Sequence, residues 1–322
     1  MLDPLTFQRF MQQCDDIKVD CQLLDVSSKR WCEIRLDQMH PIISGNKLFK
    51  LLPFLSLFQQ HDYQQIISLG GRHSNHLHAL AYLCDQFNIP FTALVRGYPE
   101  QAMTPTLTDL QHWHANVYFL SHRQYSQRND LVMVEHYCAQ QDIDTHKALF
   151  IAEGGGHFIG QNTANDDSAV QLLRKIVLHS LSEKQLSLSD FDYVSLPVGS
   201  GVFLQQALRA LSKPMLGILA LKNHQYMAEK ISTEANARHE VQLLNNSFNL
   251  SFGKINQNLA NYLQDFRRMY SHDLDPIYNA KHFFSVTQWM QENPTARVLS
   301  LNTGGLQGAR YLQPKLAKLM SS

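Results

Sequence analysis

Residues 40–51 read His40-Pro41-Ile42-Ile43-Ser44-Gly45-Asn46-Lys47-Leu48-Phe49-Lys50-Leu51. A small flexible turn, Ser44-Gly45-Asn46, stands directly before a lysine. Apolar residues at helical spacing follow it: Leu48, Leu51, Leu52, Phe54 and Leu55. A helix therefore opens at Lys47. The positive end of a helix dipole disfavours cations, yet Lys47 and Lys50 both fall in the first turn. That placement points to a fixed anion, or to an amine with a chemical task. A lysine becomes a nucleophile when burial or neighbouring cations lower its pKa, and Schiff-base chemistry is the usual outcome. Read alone, the turn also suits two solvated surface lysines, so the rest of the chain has to decide.

Outward from this turn the chain alternates regularly. Buried strands are predicted at Ile66–Leu69, Phe91–Val95, Val117–Leu120, Ala148–Ala152, Tyr193–Val198, Leu216–Leu221 and Arg297–Leu301. Helices are predicted at His76–Phe87, Thr106–His114, Leu131–Gln140, Ala169–Leu181, Val202–Leu211, His224–Asn236, Ile255–Tyr270 and Ala280–Gln291. A weak helix (Thr6–Asp15) and short strand-like pieces (Gln22–Val26, Trp31–Leu36) precede them. Strands separated by helices of this length mean α/β architecture, with open twisted parallel sheets carrying helices on both faces. The triple glycine Gly154-Gly155-Gly156 interrupts the alternation, and 322 residues suffice for about two domains.

Three strands end in glycine and small polar residues that open a helix: Gly70 to Asn75, Gly199-Ser200-Gly201, and Thr303 to Gly305. Ligands of parallel sheets bind at such places, because glycine lets the backbone approach and the first helical N–H groups face an anion. Neither Gly-x-Gly-x-x-Gly nor Gly-x-x-x-x-Gly-Lys-Ser/Thr occurs, so a nucleotide fingerprint is missing. A lysine plus a phosphate cradle suits pyridoxal phosphate, whose aldehyde meets the amine and whose phosphate meets the amides.

Composition excludes other classes. Lys+Arg and Asp+Glu both number 28, and no strongly basic stretch stands out, so nucleic acid is not an expected partner. With no net repulsion, self-association is easy and a homo-oligomer, taken as a homodimer, is expected. No run of about 18 apolar residues is present and the first residues lack a signal-peptide pattern, so no membrane is expected and the location is read as cytoplasmic. The five cysteines form no Cys-x-x-Cys pair and read as free thiols. Histidines cluster at His73, His76 and His78, and at His112 and His114, without a recognised metal spacing, so no metal is expected.

These stretches resemble the 1-aminocyclopropane-1-carboxylate deaminase / D-cysteine desulfhydrase family, pyridoxal-phosphate enzymes of the tryptophan-synthase-β fold (fold type II). Residues 40–51 resemble its cofactor-lysine motif. Gly70-Gly71-Arg72-His73-Ser74-Asn75-His76 resembles its Gly-Gly-x-x-Ser-Asn-His/Gln motif, with 27 residues from Lys47 to Ser74. Leu274-Asp275-Pro276-Ile277-Tyr278 and Asn302-Thr303-Gly304-Gly305 resemble its Leu-Asp-Pro-Val-Tyr and His-Thr-Gly-Gly motifs.

The resemblance implies a larger cofactor domain (1–50 with 158–322), a smaller one (51–157) and an active site in the cleft between them. It implies that Lys47 holds the cofactor and moves the substrate's α-proton. Lys50 and the amides of Gly199, Ser200, Gly201 and Val202 take the phosphate. Asn75 meets the phenolic oxygen, and Asn279 and Thr303 lie by the pyridine nitrogen. Ser74, Asn75 and His76 are implied for the substrate, with Phe252 and Tyr278 lining its pocket and Tyr278 able to act as acid or base.

Three departures stand out. Phe252 replaces the family's usual tyrosine in Leu250-Ser251-Phe252-Gly253-Lys254. Where the deaminases carry glutamate and the desulfhydrases threonine, this chain has Asn279, and an amide cannot keep a pyridine nitrogen protonated as a carboxylate would. Gly199-Ser200-Gly201-Val202 has no threonine after its glycine. The expected reaction is β-elimination from a small D-amino acid. Deaminase or racemase chemistry in the same fold, a pyridoxal-phosphate-binding protein with little catalysis, and an α/β binding protein without covalent cofactor are the rivals.

Overall fold

The computed structural model describes residues 3–25, 30–159, 167–220, 241–251 and 253–321. In chain order, α1 (Pro4–Asp15), β1 (Cys21–Leu23), β2 (Trp31–Ile34) and α2 (Asn46–Gln60) lead into β3 (Gln65–Gly71), α3 (Asn75–Gln86), β4 (Phe91–Arg96), α4 (Pro105–His112) and β5 (Asn116–Leu120). Next come α5 (His122–Ser126), α6 (Leu131–Gln140), β6 (Ala148–Ile151), α7 (Ser168–Ser182), β7 (Tyr193–Val198), α8 (Val202–Leu211) and β8 (Met215–Leu219). The chain closes with β9 (Val241–Asn245), α9 (Gln257–Tyr270), α10 (Asn279–Glu292), β10 (Val298–Leu301) and α11 (Gln313–Met320).

Two compact units result: Met1–Asp16 with Lys47–Ala169, and Ile17–Asn46 with Val170–Ser322. The sequence expectation kept 1–50 together and broke the chain at 157. The first helix instead belongs with the 47–169 unit, where Phe10 sets its ring edge-on to Phe87 at 5.2 Å. Residues 1–50 divide twice, after Asp16 and after Asn46, so the second break falls at Lys47 itself.

The 47–169 unit holds a parallel four-stranded sheet of order β5-β4-β3-β6. From β3 the chain steps through β4 to β5, then returns to β6 on the far side of β3. Right-handed crossovers in opposite directions put helices on both faces. Ile67, Leu69, Leu94 and Leu120 pack on one face against Tyr125 of α5 and Val134, Tyr137 and Cys138 of α6.

The other unit holds six strands of order β1-β2-β10-β7-β8-β9. All neighbours are parallel except β1, which runs antiparallel to β2 as an edge. β9 was not expected from the sequence. Val241-Gln242-Leu243-Leu244-Asn245 lacks alternation and lies half-buried at the sheet edge, so no periodicity marks it. The helix expected at 224–236 lies outside the described residues. A core of Trp31, Leu216, Ile218 and Val298 packs against Leu259, Leu263 and Phe266 of α9 and Phe283, Val286 and Trp289 of α10. No helix of the described residues is long and apolar enough to cross a membrane.

The turn at residues 44–46 is tied to the turn after β10. Asn46 N–H donates to the Thr303 carbonyl at 3.3 Å, and Gly45 N–H to Leu36 at 3.0 Å. Gly45 (φ 62°) and Gly304 (φ 67°) are both left-handed. A Cβ on Gly45 would fall inside the Thr303 carbonyl, and one on Gly304 would lie 2.6 Å from Ser44 Oγ. Gly45→Ala therefore suffers both backbone strain and a main-chain clash. It should destabilise the protein by about 2–5 kcal/mol, read as a lowered urea midpoint, whereas an unchanged midpoint would mean that the two turns do not touch.

Candidate active site

In the six-stranded unit, β7 leads to β8 and β9 on one side, while β10 lies on the other. The carboxyl ends of β7 and β10 thus flank a topological switch point, where an open α/β sheet leaves a crevice. Both ends carry glycine turns. Gly201, which has no side chain, caps α8 in the left-handed region (φ 85°, ψ −22°). The N–H groups there suit an anion. A Cβ on Gly199 would lie 3.4 Å from Tyr278 Cε1, so Tyr278 stands against this turn.

Tyr278 and its neighbours are held by Asp275, which is 2% exposed. Its carboxylate accepts from the N–H groups of Ile277 (3.0 Å), Tyr278 (2.8 Å) and Asn279 (2.9 Å), and from Asn279 Nδ2 (2.5 Å). Burial raises the Asp275 pKa and the hydrogen bonds partly offset that. Asn279, fully buried, also donates Nδ2 to the Gly304 carbonyl (2.6 Å) and accepts at Oδ1 from Thr303 N–H (3.0 Å). Its amide thus braces the Thr303 turn, and both of its polar atoms are engaged within the protein.

Behind the same turn, Asn302 Nδ2 donates to buried Glu33 at 2.8 Å, and Asn302 Oδ1 accepts from Gly304 N–H at 3.1 Å. His272 Nε2 lies 3.1 Å from the same Glu33 oxygen. A second buried chain crosses the sheet: His282 Nε2 to Ser195 Oγ at 2.9 Å, Ser195 to Ser300 at 2.7 Å, and Trp31 Nε1–H to Ser300 at 2.8 Å. Lys281, 1% exposed, donates Nζ to the Ser251 carbonyl at 2.9 Å, and burial lowers its pKa to about 8 against the opposing pull of Asp275. Sequence reading singled out none of Glu33, Asp275, Lys281 and His282. Asp275 lay inside a quoted motif, whereas the other three carry no signal except being polar at core positions. Phe252 lies outside the described residues.

The four-stranded unit has its own switch point, between β3 and β6. After β3, Ser74 caps α3, its Oγ accepting from Leu77 N–H at 3.2 Å. A Cβ on Gly70 would lie 2.7 Å from that Oγ, which is why glycine is needed there. After β6 come Gly154, Gly155 and Gly156, all at positive φ (83°, 74°, 88°). A Cβ on Gly155 would meet His76 Nδ1 at 3.2 Å and Lys50 Cβ at 3.5 Å. The structure thus groups Lys50, His76 and Gly155. Lys50 is buried, while Lys47, Ser74 and Asn75 are partly exposed. The triple glycine, which sequence reading took only as an interruption, forms one wall of this group.

Hydrogen bonding fixes the His76 tautomer. Ser68 Oγ donates to the Ile151 carbonyl at 2.8 Å, so His76 Nε2–H must donate to Ser68 Oγ, also at 2.8 Å. Nδ1 is left as a buried acceptor with no partner among the described residues. Burial, then the charges of Lys47 and Lys50, lower the His76 pKa to about 3. Lys47 itself follows directly on Asn46, whose N–H is bonded to Thr303.

No family model matches the chain. A Thermotoga maritima protein named "Putative 1-aminocyclopropane-1-carboxylate deaminase" is 23% identical over 301 residues, spanning 85% of this chain and 88% of its own. An Oryza sativa protein named "Putative D-cysteine desulfhydrase 2, mitochondrial" is 31% identical over 100 residues, 31% of this chain and 24% of its own. The crystal structure of an ACC deaminase homologue aligns at TM-score 0.75 and 18% identity, covering 99% of this chain and 100% of that one. The fold is that of the fold-type II pyridoxal-phosphate enzymes. Escherichia coli diaminopropionate ammonia lyase, at TM-score 0.64 and 10% identity over 99% of this chain and 93% of that one, shares it. The resemblance read from the four motifs stands with these relatives: the chain is similar to the 1-aminocyclopropane-1-carboxylate deaminase / D-cysteine desulfhydrase family.

His76 and His282 are both buried and neutral, each with its pKa lowered from 6.5 to about 3, burial being the first cause. Below pH 6.5 the unfolded chain takes up their protons and the folded protein does not. Stability should therefore fall as pH drops from about 6.5 toward 3, by about 1.4 kcal/mol per pH unit for each histidine. Urea unfolding at several pH values should show this slope, and His282→Asn should reduce it. A slope unchanged by that variant would contradict a neutral buried His282.

Proposed function

We propose that this chain is a pyridoxal-phosphate-dependent lyase acting on a small amino acid, and that its reaction is β-elimination from D-cysteine to pyruvate, ammonia and sulfide. The observation that carries the reading is the coupling of the lysine turn to the turn after β10. Lys47 begins one peptide bond beyond Asn46, which is hydrogen-bonded to Thr303, and Thr303 lies in the turn after β10, the strand beside β7. The cradle fits the cofactor's chemistry. A left-handed glycine, with no side chain of its own to cap the helix, opens α8, and a tyrosine stands against Gly199.

Bound pyridoxal phosphate would supply an aldehyde for amines and a ring that stores the electron pair left when the α-proton departs. The chain's own residues do the rest. The amides of Gly201 and Val202, with Lys50, would neutralise the phosphate. Lys47 would hold the aldehyde carbon until the substrate amine replaces it, and would then take the proton from the substrate α-carbon. Ser74, Asn75 and the start of α3 would hold the carboxylate, and Tyr278 would give a proton to the departing sulfur.

The finer choice of β-elimination over ring-opening deamination rests on the turn at Thr303. The carboxylate nearest it in the chain's motif is Asp275, whose oxygens already accept four hydrogen bonds from residues 277–279. Thr303 offers a hydroxyl in place of a carboxylate, so a ring nitrogen there would stay unprotonated, which favours loss of a good leaving group such as a thiolate.

The test is product analysis with purified protein and added pyridoxal phosphate. D-cysteine should give equal sulfide and pyruvate, Lys47→Ala should lower turnover by at least about a hundredfold, and 1-aminocyclopropane-1-carboxylate should give no 2-oxobutanoate. Release of 2-oxobutanoate would assign the deaminase reaction instead. A protein that binds the cofactor but turns over neither compound would identify a binding protein with little catalysis.

A further inference from the structure

Cys21 and Cys32 lie eleven residues apart in the chain, with no motif joining them, yet the fold makes them neighbours. β1 and β2 pair antiparallel with Cys21 opposite Ile34 and Leu23 opposite Cys32. Side chains two residues apart on a strand share a face, so Cys21 and Cys32 are diagonal neighbours on one side of the pair. Both thiols are reduced. The Cys21 pKa is lowered, first by its Cys32 neighbour and against the effect of burial, and Lys184 lowers it further.

Both sulfurs are buried, at 2% and 0% exposure. Access is given by position. β1 is three residues long and lies at the edge of the sheet, paired only with β2. A short edge strand opens locally far more easily than a central one. The same freedom covers the geometry, since diagonal neighbours sit at roughly 7–8 Å between Cα atoms, beyond the usual disulfide span of roughly 4.4–6.8 Å, so the edge strand must move to close the bridge.

We propose that Cys21 and Cys32 form a reversible disulfide when the protein meets a hydroperoxide, with Cys21 as the attacking thiolate and Cys32 as the resolving thiol. In the first step the Cys21 sulfur attacks one peroxide oxygen, the O–O bond breaks, and a sulfenic acid forms while the second oxygen leaves as hydroxide. In the second step the Cys32 sulfur attacks the Cys21 sulfur, the S–O bond breaks, and the oxygen leaves with the Cys32 proton as water. Two thiols are oxidised and one peroxide is reduced to water. The product fastens the edge strand to β2.

The wild-type protein is treated with hydrogen peroxide under native conditions, then denatured in the presence of iodoacetamide and digested with trypsin without reductant. Cleavage after Lys29 and Arg30 separates the two cysteines, so a bridge appears as a linked peptide pair. The expected result is that pair, lost on adding dithiothreitol, with Cys14, Cys84 and Cys138 alkylated. In Cys32→Ser protein, dimedone should trap a sulfenic acid on Cys21. Recovery of Cys21 and Cys32 both alkylated, or of Cys21 driven to sulfonic acid with no bridge, would overturn the proposal. So would dimedone labelling absent from Cys21 in the variant. None of these readouts involves pyridoxal phosphate or an amino-acid substrate.

Discussion

The structure depends on one close approach of backbone to backbone. The Ser44-Gly45-Asn46 turn lies against the Thr303-Gly304 turn so tightly that no side chain fits on Gly45 or Gly304. Both glycines use left-handed conformations that other residues enter only with strain. This contact sets where α2 begins, and hence where Lys47 leaves the main chain. It also explains why a lysine can sit at a helix start against the dipole: the position is dictated by the turn beneath it, and stabilisation of the helix comes from burial of Leu48, Leu51, Leu52 and Phe54.

Each unit repeats the same topological logic. Its sheet is built outward from one strand and completed by a later strand added on the other side, and the crevice so made is lined by glycine turns. In one unit these follow β7 and β10, in the other β3 and β6. Many polar groups beneath the turns are engaged, while Glu33 Oε2, His76 Nδ1 and His282 Nδ1 are buried with no hydrogen-bond partner among the described residues. Asp275 gathers the N–H groups around Tyr278, Asn279 bridges to Gly304, and Glu33 steadies Asn302. Such buried polar contacts are costly if left incomplete. They fix the orientation of the turns, which a purely apolar core would leave to packing alone.

Much of this was legible in the sequence, because the signals are local. Periodicity marked the helices and the central strands, and glycine after an apolar run marked each ligand-facing turn. What stayed hidden depends on contacts between distant segments. Glu33, Lys281 and His282 look like ordinary polar residues until the fold buries them. Asn279 was read as a group beside the cofactor; that its amide also bonds to Asp275, Thr303 and Gly304 appears only in the fold. The edge strand at Val241–Asn245 has neither alternation nor full burial to announce it. The Cys21–Cys32 pair needs the β1–β2 register, which no spacing in the chain encodes. The first helix joined the 47–169 unit because of tertiary packing at Phe10, a choice that its own pattern does not make.

The central claim is that Lys47 is the lysine that carries the cofactor. Its sharpest competitor is Lys281, a buried amine two residues beyond Asn279, whose pKa burial has already lowered to about 8. The direct measurement is borohydride reduction of the protein incubated with pyridoxal phosphate, followed by peptide mapping of the reduced pyridoxyl group. The account predicts a single modified residue, Lys47. A label on Lys281, on Lys50, or spread over surface lysines would contradict it.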